Sequence, residues 1–461
     1  MNRKTHLVLV FAQVIFLCIG RTFANPSAQS PDIYAAHRDS LLAKIQHGVV
    51  LLAAAPQAIR NGDVEYKYRQ NSDFYYLTGF SNPGAYLVLR PDTAPHYILF
   101  VRSRNPTREI YTGSRPGISG AMTKFGADTA YTVEKLHQEL PRLIGDSGTF
   151  YLPLNQRNAI QEQYDSILEN SAIQPDTLVN VSNILHRMRL VKSDHEIHLI
   201  QKAIDITNDA QQEMMRVTAP DKYEYQISAA IKYVFTNEGA TAPSFPSIVA
   251  SGKNATTLHY FENNAKLQNT ELLLVDIGTE YQMYAADITR TIPVSGKFSP
   301  EQKALYQAVL NVQKRAIEAV KPGATIEHLN DLAQRETVRE LLKLDILHGD
   351  LDSLVEAGAG DTFLPHGISH HLGMDAHDPG GYAIWQTNLP LKPGMVITIE
   401  PGIYIRSGMQ NVDPKWHNIG IRIEDDILVT KTGRIVLSHD IPKSVKAIEK
   451  EMRRKPRFIK Q

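Results

Sequence analysis

Four carboxylates lie in or beside apolar, strand-like runs in the last third of the chain: Asp276, Asp287, Glu400 and Glu424. Burying one carboxylate without a partner costs several kcal/mol, and neighbouring carboxylates also repel one another. Bound divalent cations remove both penalties, because they are the largest charges in the sites that hold them. The sequence therefore predicts a site for two metal ions on these strands.

The first two of these residues are predicted to lie in one hairpin. Asp276 and Asp287 are eleven residues apart, and the midpoint falls between Tyr281 and Gln282. A chain reversal there would place the aspartates opposite each other in an antiparallel pair, with Cβ atoms about 4.5–5.5 Å apart. A hairpin whose register differs by one or two residues, with one aspartate capping the turn, is the alternative.

A histidine-rich loop lies between the strands, at residues 364–380, and contains His366, His370, His371 and His377. This composition predicts one metal ligand together with histidines that support the ligands or contact a substrate. The chain has no HExxH motif, and its single cysteine is Cys18. A zincin and a thiolate zinc site are therefore both excluded.

The predicted ligand set consists of the four carboxylates and His370. Its four negative charges balance two divalent ions, and oxygen-dominated ligation favours Mn, Fe(II) or Co over a structural zinc. We expect two ions, most simply Mn, with Co, Fe or Zn as alternatives. Paired ions about 3.5–4 Å apart activate a water and polarise a carbonyl group, which is the chemistry of a hydrolase.

The last strand of this region carries alternating polar side chains. A period of two residues places Arg422, Glu424 and Asp426 on one face of the strand and Asp425 on the other. An Arg and a Glu two residues apart could form a structural ion pair. Three further carboxylates in the same sheet favour a functional site instead.

Length and composition predict a globular protein of two domains. The chain has 461 residues, of which 43% are hydrophobic and 21% charged, with a formal net charge of zero. A single core rarely extends over so many residues, and a neutral chain has no field that would attract nucleic acid. We therefore expect no nucleic-acid partner.

Residues 1–24 have the pattern of a secretory signal peptide. Arg3 and Lys4 precede an apolar run at 7–20, and Ala24 ends a small-x-small cleavage site. The run is too short to favour a membrane span, although an uncleaved anchor is the alternative. Cleavage would remove three basic residues, leaving 46 basic and 49 acidic residues, a charge of −3. The expected location is secreted or periplasmic, and the mature chain would contain no cysteine.

The elements between these features predict a smaller α/β domain at 31–176, followed by an α+β domain at 177–440. In the first domain, strands are expected at 47–55, 75–80, 86–92 and 97–102, and helices at 34–46, 129–143 and 155–169. In the second, a connecting helix at 177–192 precedes a helix from Ser193 to Val217, which the capping box Ser193-x-x-Glu196 opens. Further helices are expected at 222–238, 299–321 and 325–344, and the basic segment 441–461 as a solvated helix and tail.

The sequence resembles the pita-bread metallopeptidases, in the branch of Xaa-Pro aminopeptidase and prolidase, over nearly the whole mature chain. The resemblance rests on four motifs in the family's order: VDIGTEYQMYAADITRT, HGISHHLGMDAHD, EPGIY and GIRIED. It implies a pita-bread catalytic domain behind the smaller domain, and metal ligation by Asp276, Asp287, His370, Glu400 and Glu424.

The resemblance also implies roles for residues around the metals. His259 would be the family's first active-site histidine. His366 and His377 would contact substrate and stabilise the tetrahedral intermediate, and Glu400 would also move a proton. Tyr404 and Arg422 would belong to the pocket for the proline side of the substrate. One departure is the segment 111–117, YTGSRPG, where aminopeptidase P relatives often carry a Trp before the Gly.

The activity implied is hydrolysis of the bond before a proline at position two of a peptide. A prolidase restricted to Xaa-Pro dipeptides and a non-catalytic peptide-binding relative are the alternatives. The resemblance further implies a homo-oligomer, either a dimer or a tetramer.

Overall fold

The computed structural model describes residues 31–45, 47–145, 148–154, 159–171, 175–379 and 388–459. The predicted signal peptide, with Cys18, lies outside these residues. Among the helices that are described, none combines the length and the apolar character needed to cross a membrane.

The first part of the chain forms a mixed sheet covered by helices. The strands of this sheet are β1 (Val49–Ala53), β4 (Tyr86–Leu89), β5 (Tyr97–Val101), β6 (Thr129–Thr132), β7 (Thr149–Leu152) and β8 (Thr177–Asn180). A separate hairpin consists of β2 (Ile59–Asn61) and β3 (Val64–Glu65). Its helices are α1 (Pro31–Leu42), α2 (Ser72–Thr78), α3 (Pro106–Thr112), α4 (Gly117–Thr123), α5 (Leu136–Ile144) and α6 (Ala159–Asn170). The six-stranded sheet has the order β6-β5-β4-β1-β7-β8, and β2 pairs with β3. Strands β1 and β5 are buried at every position, which is expected where helices cover both faces of a sheet.

Three predictions for this part are wrong in detail. The apolar run at 75–80 lies largely in helix α2, because the Asn71 side chain accepts a hydrogen bond from the Phe74 amide and Gly79 ends the helix in the left-handed region. Residues 129–132 form strand β6 instead of the start of a helix. Strand β8 pairs in parallel with β7, so the first sheet extends past the boundary expected at 176/177.

The second part of the chain contains small antiparallel sheets and long helices. The helices are α7 (Ser182–Leu190), α8 (Asp194–Val217), α9 (Glu224–Asn237), α10 (Pro300–Ala319), α11 (Ile326–Lys343), α12 (Leu351–Glu356) and α13 (Val445–Glu451). The strands are β9 (Ala242–Pro243), β10 (Ile248–Ser251), β11 (Leu272–Ile277), β12 (Thr279–Tyr281), β13 (Tyr284–Ala285), β14 (Ile288–Pro293), β15 (Val396–Ile399), β16 (Gly402–Ile405), β17 (Ile419–Arg422), β18 (Asp425–Val429) and β19 (Arg434–Val436). They pair in the orders β10-β11-β14, β13-β12-β9, β15-β18-β19 and β16-β17.

Two buried glutamines tie the long helices to these strands. On α8, the fully buried Gln211 donates to the carbonyl oxygens of Val275 (3.3 Å) and Ile288 (2.8 Å), next to the two aspartates. On α10, Gln313 donates to the carbonyl oxygen of Ile423 (3.2 Å), next to Glu424. Since an unpaired buried carbonyl is costly, these bonds hold each helix in register with its strands. The capping box that opens α8 forms as predicted, with Glu196 accepting from the Ser193 amide at 2.8 Å.

The basic segment at the end of the chain packs against the second part, although its composition predicts a solvated tail. The buried carboxylate of Glu213, on α8, accepts hydrogen bonds from three successive amides: Arg457 (2.7 Å), Phe458 (3.1 Å) and Ile459 (2.9 Å). The side chains of Phe458 and Ile459 pack against the core that α8 helps to form. The tail is therefore part of the folded domain as far as Ile459.

Candidate metal centre

The two aspartates lie in one hairpin, but not directly opposite each other. Asp276 pairs with Thr289, and the chain reverses at Gln282 and Met283, both of which have positive φ (48° and 73°). The register is thus shifted by two residues from the predicted one, as the alternative interpretation allowed. Asp276 and Asp287 become diagonal neighbours on one face, with carboxylate oxygens within 4.8 Å of each other.

A glycine makes this register possible. By the pairing of Glu280 with Ala285, Gly278 stands across from Asp287, where the two strands come very close. A Cβ at position 278 would lie 1.7 Å from the carbonyl oxygen of Ala286, so no other residue fits there without moving a strand.

The remaining predicted ligands reach the same point from separate elements. Glu400 directly follows β15, Glu424 lies between β17 and β18, and His370 comes from the histidine-rich loop. The Glu424 amide donates to the Thr289 carbonyl oxygen (3.1 Å), and the Thr289 hydroxyl donates to the Glu424 carboxylate (2.7 Å). These bonds hold the segment between β17 and β18 against the aspartate hairpin.

The five side chains form two overlapping groups that could each hold an ion. One group contains Asp276, Asp287 and Glu424; the other contains His370, Glu400 and Glu424, and in each the ligand atoms lie within 4.8 Å of one another. Glu424 belongs to both groups, so its carboxylate would help to hold either ion of a metal pair. A third group combines Asp287 and His370 with His377, whose ring stacks on that of His370 with centroids 4.0 Å apart.

The hydrogen bonds of His370 favour metal ligation. Its Nδ1 lies 3.0 Å from the carbonyl oxygen of His371, which can only accept, so Nδ1 carries the proton. Its Nε2 lies 3.5 Å from Asp287 Oδ2 and 3.4 Å from Glu400 Oε1. A histidine that donates one ring N–H to a backbone carbonyl and points the other nitrogen at carboxylates is typical of metal sites.

The electrostatics of the cluster require positive charge. Burial, and then the carboxylates of Asp276 and Glu400, raise the pKa of Asp287 well above its usual range. Burial and the carboxylate of Asp287 do the same to the pKa of Glu424. Asp276 Oδ1 is buried and accepts no hydrogen bond within the described part of the chain. The residues present therefore fit a pair of divalent cations.

Arg422 supplies one positive charge at the edge of the cluster. Its guanidinium donates to Asp276 Oδ2 (2.6 Å), to the Tyr404 hydroxyl (2.9 Å) and to the Thr289 hydroxyl (3.1 Å). The Tyr404 hydroxyl in turn donates to His366 Nε2 (2.8 Å). Arg422 lines the cleft, whereas Tyr404 is buried behind it. The Tyr404 hydroxyl therefore orients His366 and Arg422 from the protein interior.

The predicted strand alternation agrees with the structure. Arg422 and Glu424 both contact the hairpin, and Asp426 accepts a hydrogen bond from the Asp287 amide (3.2 Å). Asp425 points away from the cluster and pairs with the buried Arg290 (2.8 Å).

A cleft of about 270 Å³ opens onto the cluster, and all the predicted ligands line it. The predicted histidines His259, His366 and His377 line it too. Burial, and then the neighbouring His370, lower the pKa of His377 to about 4, so this histidine is neutral at neutral pH. Every predicted site residue except Tyr404 therefore lines this cleft. Tyr404 lies behind it and is hydrogen-bonded to His366 and Arg422, which do line it. The roles assigned to the individual residues stay predictions.

An ion-pair network that the sequence analysis missed holds the loop bearing His377. Arg189, on α7, contacts Asp73 (2.7 Å), Asp375 (2.7 Å) and Asp378 (2.5 Å) and is almost completely buried. Lys192 also contacts Asp378, at 3.1 Å. Asp73 belongs to helix α2, so the first domain helps to position the loop of the second. The Arg189 partners are more than 100 residues away along the chain, and no local pattern indicates them.

Comparison with known proteins agrees with this architecture. Residues 198–431 match the family described as metallopeptidase family M24, and residues 34–151 match the aminopeptidase P N-terminal domain. The chain is 39% identical to the Xaa-Pro aminopeptidase of Haemophilus influenzae, over 91% of this chain and 96% of that protein. It is 38% identical to the Xaa-Pro aminopeptidase of Escherichia coli, over 90% and 96%.

Solved structures give the same result. Aminopeptidase PepP of Pseudomonas aeruginosa superposes with a TM-score of 0.88 at 39% identity, covering 92% of this chain and 98% of that one. A Zn-substituted aminopeptidase P of Escherichia coli in complex with product superposes with the same TM-score at 38% identity, over 92% and 99%. With an aminopeptidase P N-terminal domain followed by a pita-bread domain that carries the five clustered ligands, the chain belongs to metallopeptidase family M24, in its aminopeptidase P branch.

Proposed function

We propose that the protein is a metal-dependent Xaa-Pro aminopeptidase, which releases the first residue of peptides that have proline at position two. The observation that carries this proposal is the convergence of four carboxylates and one histidine in a single cleft, in two groups sharing Glu424. The relatives named Xaa-Pro aminopeptidase, similar over nine-tenths of the chain, support the choice of substrate.

Two divalent ions in this site would polarise the scissile carbonyl and activate a water as the nucleophile. The protein's own groups then bind and orient the peptide. Glu400 is suited to move a proton to the leaving proline nitrogen, because its side chain, 16% exposed, is the most accessible of the four carboxylates. His377, being neutral, can donate one N–H to the oxygen on which negative charge develops.

Mn is the metal we propose, because the ligands are mostly oxygen atoms and none is a thiolate. The test is to remove metal from the purified protein with a chelator, add back Mn, Co or Zn separately, and measure hydrolysis of an Xaa-Pro-Yaa tripeptide. We expect activity to return best with Mn, and to be absent from an Xaa-Ala-Yaa control. Hydrolysis that survives complete metal removal would refute the proposal.

A prolidase differs from this function only in substrate length. Cleavage of Xaa-Pro dipeptides without cleavage of Xaa-Pro-Yaa would therefore replace our proposal with that activity. A non-catalytic peptide-binding protein would hydrolyse neither substrate with any metal. The complete set of five clustered ligands favours catalysis over that alternative.

We also propose that the protein is exported and works as a homo-oligomer. The support for export is the signal-like pattern at residues 1–24, and N-terminal sequencing of the protein from its native host should begin at Asn25. Light scattering after size-exclusion chromatography should give the mass of a dimer or a tetramer, against 51.6 kDa for the full chain.

A further inference from the structure

The loop from Gly373 to Asp378 carries His377 and forms neither a helix nor a strand. His377 is an exposed residue that lines two cavities, the cleft described above and a second cavity of about 500 Å³ whose walls are mostly charged and polar. A loop without a backbone ladder of its own is held by bonds to other elements. The position of the His377 ring therefore depends on the anchors of the residues beside it.

One of these anchors is Arg69, in the first domain, which lines the second cavity. Its Nη2 donates to the Met374 carbonyl oxygen (2.7 Å) and lies 3.4 Å from Asp375 Oδ1. Its Nη1 donates to the Ser72 hydroxyl (3.1 Å), which in turn donates to Asp375 Oδ1 (2.6 Å). The first domain thus holds the two residues that stand three and two positions before His377.

The same guanidinium group also reaches the aspartate hairpin. Its Nε donates to Glu280 Oε2 at 2.5 Å, and Glu280 is only 4% exposed. Glu280 lies on β12, between Asp276 and Asp287 along the chain. Because a guanidinium is planar and its N–H groups point in fixed directions, Arg69 sets the spacing between the hairpin and the His377 loop.

We infer that Arg69 is a positioning residue for catalysis, which fixes His377 relative to the aspartate hairpin and so makes the first domain part of the reacting assembly. The inference rests on the proposed function, in which His377 donates an N–H to the oxygen where negative charge develops. Arg69 is not among the described residues that line the catalytic cleft, so it acts through the loop. An interaction made in the transition state affects kcat, and its loss leaves KM nearly unchanged.

The first test is Arg69→Met. It should lower kcat on an Xaa-Pro-Yaa tripeptide by about 10–100-fold, because a small displacement of a catalytic group is costly. Metal content should stay at two ions per chain, since none of the five predicted ligands contacts Arg69. The matched control is Arg90→Met. Arg90 is a partly exposed arginine of the same domain, and its side chain forms no hydrogen bond or ion pair with other described residues, so kcat should not change.

Two double variants separate positioning from general support of the fold. Arg69→Met alone leaves the buried Glu280 carboxylate without its partner, which destabilises the protein. Arg69→Met with Glu280→Met replaces both charges by apolar groups, so it should recover the urea midpoint of the wild type but keep the low kcat. In a His377→Ala background, Arg69→Met should lower kcat no further, because both changes remove the same interaction.

Hydrogen exchange of the metal-free protein gives a measurement that does not depend on turnover. Amides of residues 373–378 should exchange faster in Arg69→Met than in the wild type, and at the wild-type rate in Arg90→Met. This comparison reports directly whether the guanidinium holds the loop.

Three results would overturn the inference and leave the proposed function intact: normal kcat in Arg69→Met, recovery of kcat in the Arg69→Met/Glu280→Met variant, or equal losses with and without His377. If the wild type hydrolyses no Xaa-Pro-Yaa peptide with any metal, the proposed function is wrong. Hydrogen exchange then decides on its own whether Arg69 positions the loop, and unchanged exchange in Arg69→Met would refute it.

Discussion

Replacing Glu424 by glutamine tests whether the carboxylates converge as described. Two carboxylates whose ligand oxygens lie within 4.8 Å of each other repel each other by at least about 3 kcal/mol at an effective dielectric constant of about 20. Burial and this repulsion raise the pKa of Glu424 in the metal-free protein. The folded protein therefore binds this proton more tightly than the unfolded chain does.

The sign of the pH dependence follows from that difference. For a carboxyl group whose pKa is raised on folding, the free energy of unfolding falls as the pH rises from the unfolded pKa, about 4.3, through the folded one. The slope is at most about 1.4 kcal/mol per pH unit for each proton. Glutamine cannot titrate, so metal-free Glu424→Gln should lose less stability than the wild type over this range.

Urea denaturation in a chelating buffer, at several pH values from about 5 to about 8, measures both slopes. Burial lowers the pKa of His366, of His371 and of His377, and these groups contribute a slope of opposite sign below about 6.5. They are present in both proteins and cancel in the difference. Adding Mn should stabilise the wild type much more than the variant. Identical pH slopes for the two metal-free proteins would refute the convergence of these acidic groups.

Three further predictions concern single side chains. Asp287→Asn should leave fewer than two metal ions per chain and reduce kcat/KM by at least about 1,000-fold, measured by metal analysis and peptide hydrolysis; two bound ions and normal turnover would contradict the site. His366→Ala should lower kcat by about 100-fold with metal content unchanged, and a loss of metal would instead make it a ligand. Arg189→Met should cost about 3–5 kcal/mol of unfolding free energy in urea, because it leaves buried carboxylates unpaired, whereas Arg187→Met on the exposed side of the same helix should change little.

The site could be predicted from the sequence because its residue types are unusual for their surroundings. Asp276 lies in an apolar strand and Glu424 lies between two such strands, where burying an acidic side chain is costly without a partner. The order of motifs identified the family. The hairpin register could not be read in the same way, since its turn consists of Gln282 and Met283 instead of the Asn-Gly type that marks such turns.

Other features depend on contacts that are distant in sequence. The aromatic run at 75–80 has strand propensity, but the cap at Asn71 and the surrounding core make it helical. Residues 177–180 form strand β8 because they pair in parallel with β7, a contact that the local sequence does not indicate. Nothing in the local sequence distinguishes Arg189 from the other basic residues near it. Its three carboxylate partners come together only in the folded chain.

The docked end of the chain has a practical consequence for handling the protein. Glu213 is fully buried and receives its hydrogen bonds from the amides of Arg457, Phe458 and Ile459. Loss of residues 457–459 would leave this buried carboxylate without its hydrogen-bond donors. Glu213 lies on α8, the helix that also supports the aspartate hairpin through Gln211. The presence of residues 457–459, checked by intact-mass spectrometry, is therefore a condition for comparing the metal content of any two preparations.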